Sequence, residues 1–196
     1  ERDLRLLYWG TFESVLFDGR PIRLPSALPG MRDRTVTIGS GVELRMIGWR
    51  VGWVVAPGDL VNDVSRVEIY NDLVPSGFAQ VGVRVGLEAG PEDQAAATSE
   101  LQRRRDETMR QLDGLPAIRA AGGWSLLLDV AELGLDAATV SNRLLEQKVA
   151  ATPMTGWGGD VAARHVRFVF SREPVERLAL LGARVRAALE SASSEK

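Results

Sequence analysis

At 196 residues, 45% hydrophobic and 26% charged, the chain is long enough for one ordinary domain or two small ones around a genuine apolar core, which excludes collagen-like, disordered and disulfide-scaffold classes. With 24 Lys+Arg against 26 Asp+Glu the net charge is −2, so no field gathers nucleic acid or an anionic membrane; the absence of Cys and the single His remove thiol nucleophiles and multi-histidine or zinc sites, and no metal is expected. No stretch approaches the roughly 18 uncharged apolar residues of a membrane span. The lack of Cys makes the reducing cytoplasm the expected setting, and the opening Glu1-Arg2-Asp3-Leu4 lacks the basic and apolar zones of a signal peptide, so the protein reads as soluble.

Three strands are expected early: residues 4–9, a short apolar run before Gly10; residues 34–38, β-branched and ended by Gly39-Ser40-Gly41; and residues 48–55, alternating until Pro57. The period then becomes helical. Residues 59–71 place Leu60, Val61, Val64 and Val67 on one face, and residues 76–88 do the same with Phe78, Val81 and Val85. A long polar helix follows over residues 91–112, whose charge run (Glu100, Arg103, Arg104, Arg105, Asp106, Glu107) reads as a solvated face. Strands are expected at 117–120 and 124–130. A helix over 136–147 is capped by Asp136, with Leu144, Leu145 and Val149 towards the core. A Gly-rich turn at 155–160 leads to a strand at 165–170, where His165 reads as a surface residue. Pro174 then opens a terminal helix with Leu178, Leu181 and Val185 on one stripe. Trp49, Trp53, Trp124 and Trp157 read first as core or pocket-wall aromatics.

Three segments, in this order and separation, resemble the class I/II aminotransferases of the pyridoxal-phosphate fold-type-I family. The stretch Phe17-Asp18-Gly19-Arg20-Pro21, then Leu28-Pro29-Gly30-Met31 and Arg34-Thr35-Val36-Thr37-Ile38-Gly39-Ser40, looks like the approach to that family's cofactor lysine. Gly48-Trp49-Arg50-Val51-Gly52-Trp53 looks like the segment after it. Residues 149–158 (VAATPMTGWG) and 166–171 (VRFVFS) resemble the small-domain substrate region, most like the kynurenine and methionine aminotransferase branch. The resemblance implies an α/β fold: a partial large-domain sheet of three strands plus helices over residues 1–90, then an α+β small domain over residues 91–196.

Carried over residue by residue, the resemblance separates what is kept from what is changed. Counting back from Gly48, the lysine position falls on Val42; counting forward from Ser40 with a one-residue deletion, it falls on Glu43. The only lysines are Lys148 and Lys196. Pyridoxal chemistry needs a lysine amine to hold the aldehyde and to shuttle a proton, which neither residue provides. The Asp that the family sets against the pyridine nitrogen reads Trp9, and the Tyr that bonds the ring hydroxyl reads Phe12. Other positions persist. Arg50 matches the arginine on the cofactor phosphate, Ser40 a phosphate-side hydroxyl, and Arg167 the arginine that forks onto a substrate carboxylate; Trp124 and Trp157 match substrate-side positions. For both arginines a structural ion pair is the alternative, and for Ser40 an ordinary loop position.

The implied reading is an aminotransferase-like polypeptide without ordinary transamination. It keeps a pocket for a small carboxylate, as a subunit or as a repurposed, pyridoxal-independent enzyme. A structural subunit completing another chain is the alternative from a different class. Noncovalent use of pyridoxal or pyridoxamine phosphate, with Glu43 as base, is a third; no covalent cofactor is expected. The family's preceding half has no counterpart here, which leaves the strand at 4–9 as an apolar edge that folded proteins cover. A front-half aminotransferase chain or a longer parent polypeptide, in a homo- or hetero-oligomer, is therefore the expected partner.

Overall fold

A computed structural model describes residues 3–10, 12–41, 46–90 and 92–193. The chain divides into two compact units, residues 1–96 and 97–196.

The first unit holds a three-stranded sheet, β1 (Leu6–Trp9), β2 (Thr35–Ser40) and β3 (Gly52–Val55), in the order β1-β2-β3. β1 runs parallel to β2 with Leu6 opposite Thr35 and Trp9 opposite Ile38, whereas β3 is antiparallel, Ser40 facing Gly52. The β-branched run of β2 takes the central place, where it is paired on both sides. Gly39 is required there: a Cβ would lie 2.3 Å from the Trp53 indole nitrogen. The strand expected from residue 48 is interrupted. A 3-10 turn at Ile47–Trp49 ends on Arg50 in the left-handed region (φ 55°), so β3 starts only at Gly52.

Two helices follow, α1 (Gly58–Asn71) and α2 (Gly77–Glu88). Their apolar faces are not where the periodicity placed the core. α1 buries no residue, with Val61, Val64 and Val67 exposed, and α2 buries Ala79 and Val83 while Phe78, Val81 and Val85 are exposed. Trp49 lies against Gly82 of α2, where a Cβ would be 2.3 Å from its ring. Of the twenty buried hydrophobic residues among those described, only Phe17, Ala79 and Val83 belong to this unit.

The helix α3 (Glu92–Gln111) carries the chain into the second unit, which has a sheet of its own. That sheet comprises β4 (Ala117–Ile118), β5 (Ser125–Asp129), β6 (Thr152–Pro153) and β7 (His165–Val169), all antiparallel, in the order β4-β5-β7-β6. The period-two pattern gives it one core face: Leu126 opposes Phe168 and Leu128 opposes Val166, all buried. α4 (Ala137–Glu146) packs against α7 (Leu181–Ser193), contributing Val140 and Leu144 to meet Val185 and Ala188. Asp136 caps α4 as expected, accepting from the Thr139 N–H at 2.8 Å. Leu145, expected inward, is exposed, because it lies about 100° around the helix from buried Leu144. The short helices α5 (Asp160–Ala163) and α6 (Val175–Leu178) flank β7, so the single terminal helix expected after Pro174 is two.

One correction concerns the charge run of α3. Arg105 is fully buried, ion-paired to Asp106 at 2.7 Å and donating to the Ala120 carbonyl at 3.0 Å, which ties the helix to the loop before β5. Arg105, Thr108 and Leu112 follow i, i+3, i+7 spacing, and all three are buried. Arg103 pairs with Glu100 at the surface, whereas Arg104 is half-buried between Glu100 and the Ser171 carbonyl, and Glu107 pairs with Arg110.

Candidate functional site

The candidate residues fall into two groups, each within its own unit. In the first unit the parallel pairing of β1 and β2 brings their C-terminal ends to one end of the sheet, and antiparallel β3 begins there. Trp9 closes β1, Ser40 closes β2, and Arg50 stands two residues before β3, so the register gathers all three at this end. Ligands of open α/β sheets bind at the carboxyl ends of strands. Trp9 is 73% exposed, while Phe12 and Ser40 are half-buried. Arg50 is exposed, and its Nη1 makes only a long 3.5 Å bond to the Ile47 carbonyl; among the described residues no carboxylate pairs with it. Val42 and Glu43 lie outside the described residues. Glu13, which the sequence reading passed over, curls back over Gly10 with Oε2 buried and no hydrogen-bond donor among the described residues.

In the second unit Arg167 sits in β7 between Leu127 of β5 and Thr152 of β6. Its guanidinium carbon lies 4.7 Å from the centroid of the Trp157 ring, a cation–π distance. Nε is buried without an acceptor, and no carboxylate among the described residues pairs with the group. A guanidinium stacked on one face keeps its in-plane N–H fork for a planar anion. The structure thus joins Arg167 to Trp157, which is 62% exposed and so no core residue. Trp124 immediately precedes β5, its carbonyl accepting from the Phe170 N–H at 3.1 Å.

His165, expected at the surface, is buried. Its Nδ1 is 2.8 Å from the Val161 carbonyl and Nε2 is 3.7 Å from Asp129. Asp129 accepts from Arg164 at 2.7 Å and from the Ala131 and Glu132 N–H groups at 3.1 and 3.2 Å. Burial pushes the Asp129 carboxyl up, but the Arg164 hydrogen bond, the Glu132 N–H and the charges of Arg164 and His165 outweigh it and hold the group below its ordinary range. With every partner satisfied, this cluster is a structural clasp between the ends of β5 and β7. Among the described residues no group of His, Asp and Glu side chains is arranged to hold a metal ion, and no helix is long and apolar enough to cross a membrane.

A mixed α/β unit with anion donors at one sheet end, followed by an antiparallel α+β unit with a stacked arginine, is the fold of half a pyridoxal-phosphate fold-type-I aminotransferase, and the relatives and structural neighbours of the chain are class I/II aminotransferases. Among curated proteins, the arginine–pyruvate transaminase of Pseudomonas aeruginosa is 32% identical over 191 residues, covering 92% of this chain and 48% of that protein. Among solved structures, the aromatic aminotransferase from Pyrococcus horikoshii superposes with a TM-score of 0.85 at 25% identity, over 97% of this chain and 52% of that one. The N-succinyldiaminopimelate aminotransferase from Mycobacterium tuberculosis does so with a TM-score of 0.82 at 28% identity, over 95% and 50%. No protein-family model matches. The chain spans about half the length of the curated relatives it matches.

The donors at the sheet end suit a phosphate: the Ser40 hydroxyl and the Arg50 guanidinium. The first unit contains no lysine, Trp9 has no carboxylate and Phe12 has no hydroxyl.

Proposed function

We propose that this chain is an aminotransferase-like polypeptide in which ordinary Schiff-base transamination is lost and a carboxylate pocket is kept, working as one part of a larger aminotransferase-fold particle. The observation that carries the pocket is Arg167, stacked on Trp157 with no carboxylate of the described chain to neutralise it. Burying a guanidinium nitrogen without an acceptor is costly, and an incoming carboxylate supplies two. The loss of transamination rests on the residues at the lysine, pyridine-nitrogen and ring-hydroxyl positions, Val42 or Glu43, Trp9 and Phe12. In this reading residues 1–90 correspond to the second part of a large domain and residues 91–196 to a small domain. The branch is that of the kynurenine and methionine aminotransferases, in keeping with the likeness to an Escherichia coli protein described as having a methionine aminotransferase function.

Two measurements test it. Incubation of material purified from its source with pyridoxal phosphate, mixed amino acids and a 2-oxo acid is expected to show no amino-group transfer that depends on this chain; transfer that disappears in Arg167→Ala of this chain overturns the reading. Calorimetric titration with pyridoxamine phosphate is expected to show no binding. Binding that disappears in Arg50→Ala would establish instead the noncovalent cofactor reading, in which Ser40 and Arg50 hold the phosphate and Glu43 is the base.

A structural-subunit reading is favoured by a different observation. Of the thirty exposed large hydrophobic residues described, twenty-two lie in the first unit, among them Leu7, Trp9, Tyr70, Leu73, Val74 and Phe78. A surface this apolar marks an interaction face. The expected partner is a front-half aminotransferase polypeptide or a longer parent chain, and native mass spectrometry of material from its source is expected to show it. A well-behaved 21.3 kDa monomer with one cooperative melt would remove the partner.

A further inference from the structure

The second unit contains a cavity of about 370 Å3 that plays no part in the reading above; Arg167 does not line it. Its lining includes the apolar Phe168, Phe170, Leu178 and Leu181 and four cations, Lys148, Arg172, Arg177 and Arg184, with a single carboxylate, Glu173. Glu173 is already engaged, pairing with Arg177 at 3.2 Å. Arg184 donates to the Lys148 carbonyl at 3.4 Å, which brings the two residues to one side of the cavity without neutralising either charge. No carboxylate among the described residues lies within ion-pair reach of Lys148, Arg172 or Arg184. Lys148, Arg172 and Arg184 therefore line one cavity with no carboxylate of the described residues to neutralise them, in a chain whose net charge is −2.

Lys148 also stands at φ 63°, just past the end of α4. Glycine or asparagine is the usual residue in that conformation. A lysine there retains a side chain, and with it a positive charge, at a place where the backbone favours having none.

We propose that this cavity binds a small organic dianion with an apolar body, an aryl or alkyl phosphate or a dicarboxylate. Its charged groups are held by Lys148, Arg172 and Arg184, and its hydrocarbon rests on Phe168, Phe170 and Leu181. The walls match such a ligand on both counts: charge-assisted bonds to the anion and apolar contact for the body.

The test is calorimetric titration of the full chain with three probes: phenyl phosphate, glutarate and benzyl alcohol. Phenyl phosphate or glutarate, whichever fits the spacing of the cations, is expected to bind saturably and benzyl alcohol not to bind. Arg172→Gln and Lys148→Asn are each expected to weaken the anion by about tenfold. Asn is well tolerated at positive φ, so the Lys148 variant keeps its fold, and its circular dichroism and melt are expected to match wild type. Arg119→Gln, which removes a cation that does not line the cavity, is expected to change the affinity by less than twofold. Failure of both anions to bind overturns the proposal. So does equal weakening by Arg119→Gln, which would mean diffuse charge attraction. Because these variants touch neither Arg50 nor Arg167, the result stands apart from that of the cofactor experiments.

Discussion

Replacing Phe78 with Ser separates a face that the chain covers itself from a face that another polypeptide covers. Phe78 is 80% exposed on α2. A phenyl side chain offers on the order of 150–250 Å2, and at about 25 cal/mol per Å2 its full burial is worth roughly 4–6 kcal/mol. Only about a fifth of that is realised within the chain, so Phe78→Ser is expected to lower the stability of the isolated chain by about 1 kcal/mol or less; Ser and Phe have similar helix propensity, which adds nothing. The remaining roughly 3–5 kcal/mol becomes available when a partner covers the helix, equivalent to a hundredfold or more in dissociation constant. The assay pairs a thermal melt of the isolated chain with native mass spectrometry of the chain purified from its source. The melt is expected to be nearly unchanged and the co-purifying chain lost. A Phe78→Ser melt as depressed as that of a core truncation would refute the reasoning, because it would mean that α2 is covered within the chain.

The remaining expectations concern the second unit. Leu144→Ala, at a fully buried position between the sheet and α7, is expected to cost about 2–5 kcal/mol in chemical denaturation followed by Trp124 and Trp157 fluorescence. Asp136→Ala removes the cap of α4 and is expected to cost about 1 kcal/mol, with Asp136→Asn restoring most of it. Arg167→Lys loses the planar fork and the stacking on Trp157, and is expected to weaken the binding of small carboxylates by about tenfold or more while leaving the melt within a degree or two. Asp129 titrates below its ordinary range when folded, so it contributes stability above the unfolded carboxylate pKa that disappears as pH falls through the folded value; Asp129→Asn is expected to lower the neutral plateau and to converge with wild type at acid pH, which flattens the acid limb of the stability profile.

Much of the second unit was legible because its sequence obeys one rule at a time. Leu126 and Leu128 of β5 and Val166 and Phe168 of β7 are buried at alternate positions, Asp136 precedes an amphipathic run, and Leu178, Leu181 and Val185 are all buried. The misses there arise where a second element changes what a face meets. Val161 and Asp129 close over His165 on the side of β7 that alternation assigns to solvent. Arg105 sits in a charge run yet shares its stripe with Thr108 and Leu112, a signal that periodicity carried and composition obscured. In the first unit α2 has apolar residues on two sides, and its sequence says nothing about which side this chain covers and which is left bare. The resemblance singled out Trp9, Ser40 and Arg50, which the strand register places at one end of the first sheet, but the left-handed Arg50 was not legible, since nothing in Gly48-Trp49-Arg50 marks the turn that precedes β3. Glu13 and Lys148 became visible only through geometry: a carboxylate oxygen closed off over Gly10, and a cation in a conformation usually given to glycine.

The uneven distribution of buried residues has a consequence for how the protein is degraded. Proteases cut where backbone opens cheaply, and opening is cheapest where few apolar contacts must be broken. With Phe17, Ala79 and Val83 as its only buried hydrophobic residues among those described, the first unit is the natural entry point, and digestion proceeds from there towards α3. It meets resistance where Arg105 and Thr108 lock that helix into the second unit. In the isolated chain, trimming would leave a stump of about half its length, still carrying Arg167 and the cation-lined cavity. Digestion would thus run in two stages, the second much slower than the first.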